Sequence, residues 1–120
     1  MGTARDIAIG IGGAMSRIGA KVVTAATNLV PGETWVKVTE PGSGTYAVKL
    51  PPLTQDTLDA GPVYVEMDVA GAGDSVTVSE LSGAGAGVLA PTASTLTALH
   101  DFCLYMPLPD RWVKWASKET

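Results

Sequence analysis

Apolar and polar residues alternate with period two along most of the chain. Thr34-Trp35-Val36-Lys37-Val38-Thr39 alternates, and the Pro41-Gly42-Ser43-Gly44 run after it is turn chemistry. Tyr46-Ala47-Val48-Lys49-Leu50 places Tyr46, Val48 and Leu50 on one face. Pro51-Pro52 ends that ladder, because neither proline has an N–H to donate. Val63, Val65, Met67 and Val69 form one face of the next run and Tyr64, Glu66 and Asp68 the other. Gly71-Ala72-Gly73-Asp74 then reads as a short turn into Ser75-Val76-Thr77-Val78-Ser79, a hairpin partner for the preceding strand. Thr95–Leu99 opens another extended run towards Phe102–Met106, Pro107 and Pro109 bracket a turn, and Arg111-Trp112-Val113-Lys114-Trp115 closes the series. Short strands at this spacing predict an all-β fold, a small antiparallel sandwich or jelly-roll-like barrel.

The first residues differ. Ile7, Ile9 and Ile11 alternate with small residues, and Ala14–Ala26 admits a short helix with Met15, Ile18 and Val22 on one side. Gly10, Gly12, Gly13 and Gly19 disfavour that helix, so residues 1–31 are read as an extended N-terminal arm and residues 32–120 as the β-rich body.

Composition narrows the function classes. The 120 residues are 46% hydrophobic and 17% charged, with a net charge of −4, which excludes a disordered acidic chain. The same negative balance excludes nucleic-acid binding by bulk charge. Charge is unevenly placed: residues 1–31 carry a net +2, whereas residues 54–101 hold seven acids and no Lys or Arg. Arg5 is followed at once by Asp6 and the early apolar residues are broken by glycines, so no cleaved signal is expected. The uncharged stretch 83–100 is rich in Gly, Ala, Thr and Pro, so no membrane association is expected either. The single cysteine, Cys103, allows no internal disulfide and fits a reducing compartment.

Candidate chemistry is sparse. Gly10-Ile11-Gly12-Gly13 lacks the strand, helix and distant acid of a dinucleotide loop. His100, Asp101 and Cys103 are sequence neighbours whose side chains alternate across a strand, whereas triad groups must converge. Glu66 and Asp68 share one strand face with Tyr64, which fits a solvated stripe, a cation site or a subunit contact, and not a carboxylate pair across a cleft. No catalytic residue, metal site or cofactor is expected. Trp35 is expected in the core. Trp112 is read as pointing away from it if Val113 faces inward, and exposed aromatics on a sheet stack sugars or fill a neighbour's pocket.

Residues 45–79, TYAVKLPPLTQDTLDAGPVYVEMDVAGAGDSVTVS, resemble a module of bacteriophage fibre and head-decoration proteins. In that module a strand ends in Leu-Pro (here Leu50-Pro51), a polar loop leads to a glycine (Gly61), and an alternating strand (Val63–Val69), a short turn and a T-V-x-V strand follow. The turn departs from the family's usual Asn, having Ala72-Gly73-Asp74. A chain of 120 residues resembles a capsid decoration (cement) protein more than a long fibre. The resemblance implies a virion protein, assembled in the host cytoplasm, that binds the major capsid protein on the capsid surface as a homotrimer. It implies an arm that touches the capsid, here through Arg5, Ile7, Ile9, Ile11 and Arg17. On the body, Val63, Val65, Val76 and Val78 are expected in the core or at the subunit interface, and Trp112 and Trp115 at a subunit contact. A short head or tail fibre binding a host glycan is the alternative. The enzyme alternative would use Glu66, Asp68 or His100.

Overall fold

Strand alternation is expressed directly as burial. In the structure, a computed structural model describing residues 20–39, 45–69, 75–81, 88–90 and 93–120, Val36 and Val38 are buried between half-buried Trp35, Lys37 and Thr39. Ten strands occur among the described residues: β1 (Lys21–Val23), β2 (Thr27–Asn28), β3 (Trp35–Thr39), β4 (Thr45–Leu50), β5 (Val63–Val69), β6 (Ser75–Glu80), β7 (Val88–Ala90), β8 (Ser94–Leu96), β9 (Phe102–Pro107) and β10 (Arg111–Lys118). They form a six-stranded sheet in the order β1-β3-β5-β9-β10-β7 and a four-stranded sheet in the order β2-β4-β6-β8.

The fold is all-β, but its pairing is mixed rather than antiparallel. From β1 to β6 the chain alternates between the sheets, adding one strand to each in turn. Each strand therefore meets its predecessor in the same sheet running the same way: β1·β3 and β3·β5 are parallel, as are β2·β4 and β4·β6. Parallel neighbours need a crossover, and here the crossover runs through the opposite sheet. The expected hairpin across 71–74 is thereby corrected, since β5 lies in one sheet and β6 in the other. Antiparallel pairing enters only later, at β5·β9, β6·β8 and β9·β10.

One segment read as loop is helical. Residues Gln55–Ala60 form α1, between β4 and β5. Thr54 caps its N-terminus by accepting from the Thr57 N–H, Asp56 sits in the first turn, and the Gly61 N–H closes the last turn onto the Thr57 carbonyl. Gly61 has φ +87°, a conformation that glycine adopts without Cβ strain.

The core lies between the sheets. Val36, Val38, Val65, Met67, Cys103, Tyr105 and Trp112 from one side meet Val48, Leu50, Val76, Val78 and Leu96 from the other, all fully buried. Polar groups join the layers at their edges. The Tyr46 hydroxyl of β4 lies 2.6 Å from the Thr39 carbonyl and 3.1 Å from the Val23 carbonyl. The Trp112 indole N–H donates to the Pro51 carbonyl at 3.1 Å. The Ser94 and Tyr105 hydroxyls sit 2.6 Å apart inside, which satisfies groups that burial would otherwise penalise.

The boundary of the body moves. Val23 and Leu29 belong to the core cluster, so strands begin at Lys21 rather than after residue 31, and the helix read over Ala14–Ala26 does not extend through 21–23. The capsid-contact residues Arg5, Ile7, Ile9, Ile11 and Arg17 lie outside the described residues.

Candidate functional site

The outward side chains of the two sheets differ in chemistry. On the four-stranded sheet, alternation turns Ala47, Lys49, Thr77, Ser79 and Thr95 away from the core. Lys49 Nζ donates to Ser79 Oγ at 3.0 Å, an ordinary solvated arrangement. On the six-stranded sheet the same geometry turns aromatic and aliphatic groups outward. Trp35 stands opposite Tyr64, Tyr64 opposite Leu104, and Leu104 opposite Ala116, so one row crosses four strands. The neighbouring row reads Val22, Lys37, Glu66, Phe102 and Lys118. Met106 and Val113 pair on the other side of the first row.

Local contacts hold this face together. Lys37 Nζ sits 5.1 Å from the Trp35 ring centroid, a cation–π contact between side chains two residues apart on β3. The Tyr64 and Phe102 rings are 5.7 Å apart and tilted by 32°. Burial, with the nearby Glu66 carboxylate, raises the Tyr64 hydroxyl above its ordinary value, so it stays a neutral donor. At β10 the register shifts between Lys114 and Ala116, and Trp115 at that irregularity is 64% exposed. Bulges re-aim side chains in this way.

The residues read as chemical candidates do not converge. Cys103 is fully buried, and burial pushes its thiol up to about 12, so it is not a thiolate near neutrality. His100 is exposed in a turn at φ +70°. Asp101 is buried and acts as a clasp: its carboxylate accepts from the Thr97 and Ala98 N–H groups at 3.0 Å, from the Thr120 N–H at 3.0 Å and from the Thr120 hydroxyl at 2.5 Å. Burial alone would raise this carboxyl, but those four bonds override it and hold it at about 2. Glu119 makes a second clasp, bonding the Thr95 N–H at the β8 edge and Lys114 Nζ on β10, both at 2.9 Å. Among the described residues, no group of three or more His, Cys, Asp or Glu is placed to hold a metal ion.

One expectation is decided and another corrected. Of the two places expected for Val63, Val65, Val76 and Val78, the core or the subunit interface, the structure shows the core, at 0–2% exposure within one chain. Trp112 is also fully buried, because β10 turns Trp112 inward and Val113 outward. Trp115 does reach the surface. Trp35, read as core, lies half-exposed on the outer face. The outward Leu104 and Met106 carried a usable signal: Phe102-Cys103-Leu104-Tyr105-Met106 is apolar without interruption, which marks a strand covered on both faces.

No protein-family model matches the chain, and neither a curated protein nor a solved structure is significantly similar to it. Function therefore rests on the face itself. An aromatic-rich sheet surface suits the burial of area against another molecule.

Proposed function

We propose that the protein is a non-catalytic assembly protein of the virion, of the head-decoration kind, that stabilises a shell by bridging major capsid subunits. One observation carries the reading: the outer face of the six-stranded sheet presents Trp35, Tyr64, Phe102 and Leu104 where the other sheet presents Lys49, Thr77 and Ser79. The resemblance of residues 45–79 supplies the decoration role. A ligand that binds only the assembled lattice stabilises it by mass action, and several linked footprints multiply weak contacts through effective concentration.

The test is co-sedimentation with heads assembled from the major capsid protein of the protein's own virus. Wild type should pellet with the heads and raise the temperature at which they break. Trp115→Asp should lose binding and Thr77→Asp should keep it. Heads that leave the wild-type protein in the supernatant would end this reading.

The opposition of Trp35 and Tyr64 and the exposure of Trp115 favour a second reading, a fibre-type module that stacks sugars. A glycan array checks it, with Trp35→Ala and Trp115→Ala as controls. Trp112→Ala is no control, because that indole is in the core.

A further inference from the structure

We propose that the Glu119 and Asp101 carboxylates guard an edge: they occupy the outward N–H groups along β8 and keep the four-stranded sheet from adding the same segment of a second copy of this chain. The inference concerns the rim of the fold and is independent of how the outer face of the six-stranded sheet is used.

β8 is the last strand of its sheet and pairs with β6 on one side. In an antiparallel pair the donors of alternate residues point away from the partner. Along β8 and the residue after it, Thr95 and Thr97 hold these donors, and both are taken within the chain. The Thr95 N–H donates to Glu119 Oε1 at 2.9 Å and the Thr97 N–H to Asp101 Oδ2 at 3.0 Å. The two acids come from different places. Asp101 lies in the turn before β9, and Glu119 follows β10, a strand of the other sheet. Thr120 ties them together: its N–H donates to Asp101, and its carbonyl accepts from the Thr97 hydroxyl at 2.7 Å.

The sequence of this segment explains why a guard is needed and names what it keeps away. Ala93-Ser94-Thr95-Leu96-Thr97-Ala98-Leu99 holds no charge, no proline and no glycine, and Leu99 is exposed. Neutral segments of six or seven residues that favour strands stack on identical copies of themselves. Charges beside such a segment normally suppress this. Between Glu80 and Asp101 the chain carries none, so the charge is brought to β8 by the fold. A carboxylate suits the task, because it accepts a hydrogen bond but has no N–H with which to continue a ladder. It also sets like charge against like when two such edges approach.

Stability alone does not account for Glu119. Its bonds to Thr95 and Lys114 are exposed, and exposed contacts of this kind add little to folding. Its removal should therefore change association more than unfolding.

Light scattering recorded with circular dichroism during slow heating, at several concentrations, tests this. Glu119→Ala should unfold near the wild-type midpoint yet begin to scatter at a lower temperature than wild type, and earlier as concentration rises. Adding Thr95→Pro deletes the outward donor itself and leaves the β6 side of the strand intact, so the onset should return to that of wild type. Glu33→Ala makes the same change of charge at the Lys21–Glu33 ion pair and should scatter like wild type. If the double variant fails to fold, amide exchange in Glu119→Ala carries the test: the Thr95 N–H should exchange fast when dilute and slowly when concentrated. Equal onsets in wild type and Glu119→Ala, an early onset that Thr95→Pro leaves in place or Glu33→Ala reproduces, or Thr95 exchange that ignores concentration would overturn the proposal.

Discussion

The two sheets share a core and the same strand alternation, yet their outer faces have opposite chemistry. The four-stranded sheet ends in Lys49, Thr77, Ser79 and Thr95, side chains that water satisfies. The six-stranded sheet ends in Trp35, Tyr64, Phe102, Leu104 and Trp115, side chains that gain by leaving water. Among β1 to β6 the strands of both sheets come from one continuous winding, so there backbone topology does not cause the difference between Trp35 and Tyr64 on one side and Lys49 and Thr77 on the other. It is written in every second residue. On the proposed reading the contact surface lies on the six-stranded sheet, and the four-stranded sheet is its solvated support.

The comparison presupposes that the layers stay joined, so the largest effect comes from parting them. Trp112 is fully buried and bonds across to Pro51. Trp112→Ala should cost about 3–5 kcal/mol, read as a shift in denaturant midpoint, and should abolish contact through either face. A cost under about 1 kcal/mol would mean that the core is not shared as described.

The next effect concerns the clasp beside β8. Asp101→Asn keeps the shape but weakens charge-assisted bonds from Thr97, Ala98 and Thr120, and should cost about 2 kcal/mol. The pH dependence follows from the same group. Its carboxyl is held at about 2, below the ordinary 3.8. A depressed carboxylate contributes its stability in full above the ordinary value and loses it as pH falls from there through the folded value. Glu119, also lowered despite burial by its bonds to Lys114 and Thr95, acts in the same direction. Thermal melts of wild type should fall between about pH 4 and pH 2, and those of Asp101→Asn should fall less. Equal slopes would remove Asp101 from the clasp.

How much of this could be read from the sequence depends on the range of the cause. Strand positions and inward valines follow from nearest-neighbour alternation, so β3, β4, β5 and β6 were legible almost to the residue. Pairing partners depend on where the chain goes after each strand. The short turn at 71–74 suits a hairpin locally, while burial of Val65 and Val78 from opposite sides is satisfied only when the chain changes sheet. Trp112 and Trp115 show the same limit. The phase of β10 is set by pairing with β9, where Trp112 meets Pro107, and the register shift after Lys114 leaves Trp115 outside. Helix α1 has a local signal of its own, Thr54 three residues before Thr57 with Asp56 between, shortly after a proline pair.

Smaller effects sharpen the picture. Thr54→Ala removes the helix cap and should cost about 1 kcal/mol, visible as a modest loss of midpoint. The smallest is the control for the whole comparison. Thr77→Asp on the four-stranded face should change stability by no more than about 0.5 kcal/mol and leave head binding unaltered. A larger change in either quantity would show that the polar face is not merely solvated.

Solvent accessibility measured by covalent side-chain labelling, with and without heads, decides between the faces in one sample series. On binding, Trp35 and Trp115 should become protected, while Lys49 is labelled equally throughout. Protection of Lys49, with Trp115 labelled equally bound or free, would show that the contact surface lies on the four-stranded sheet instead.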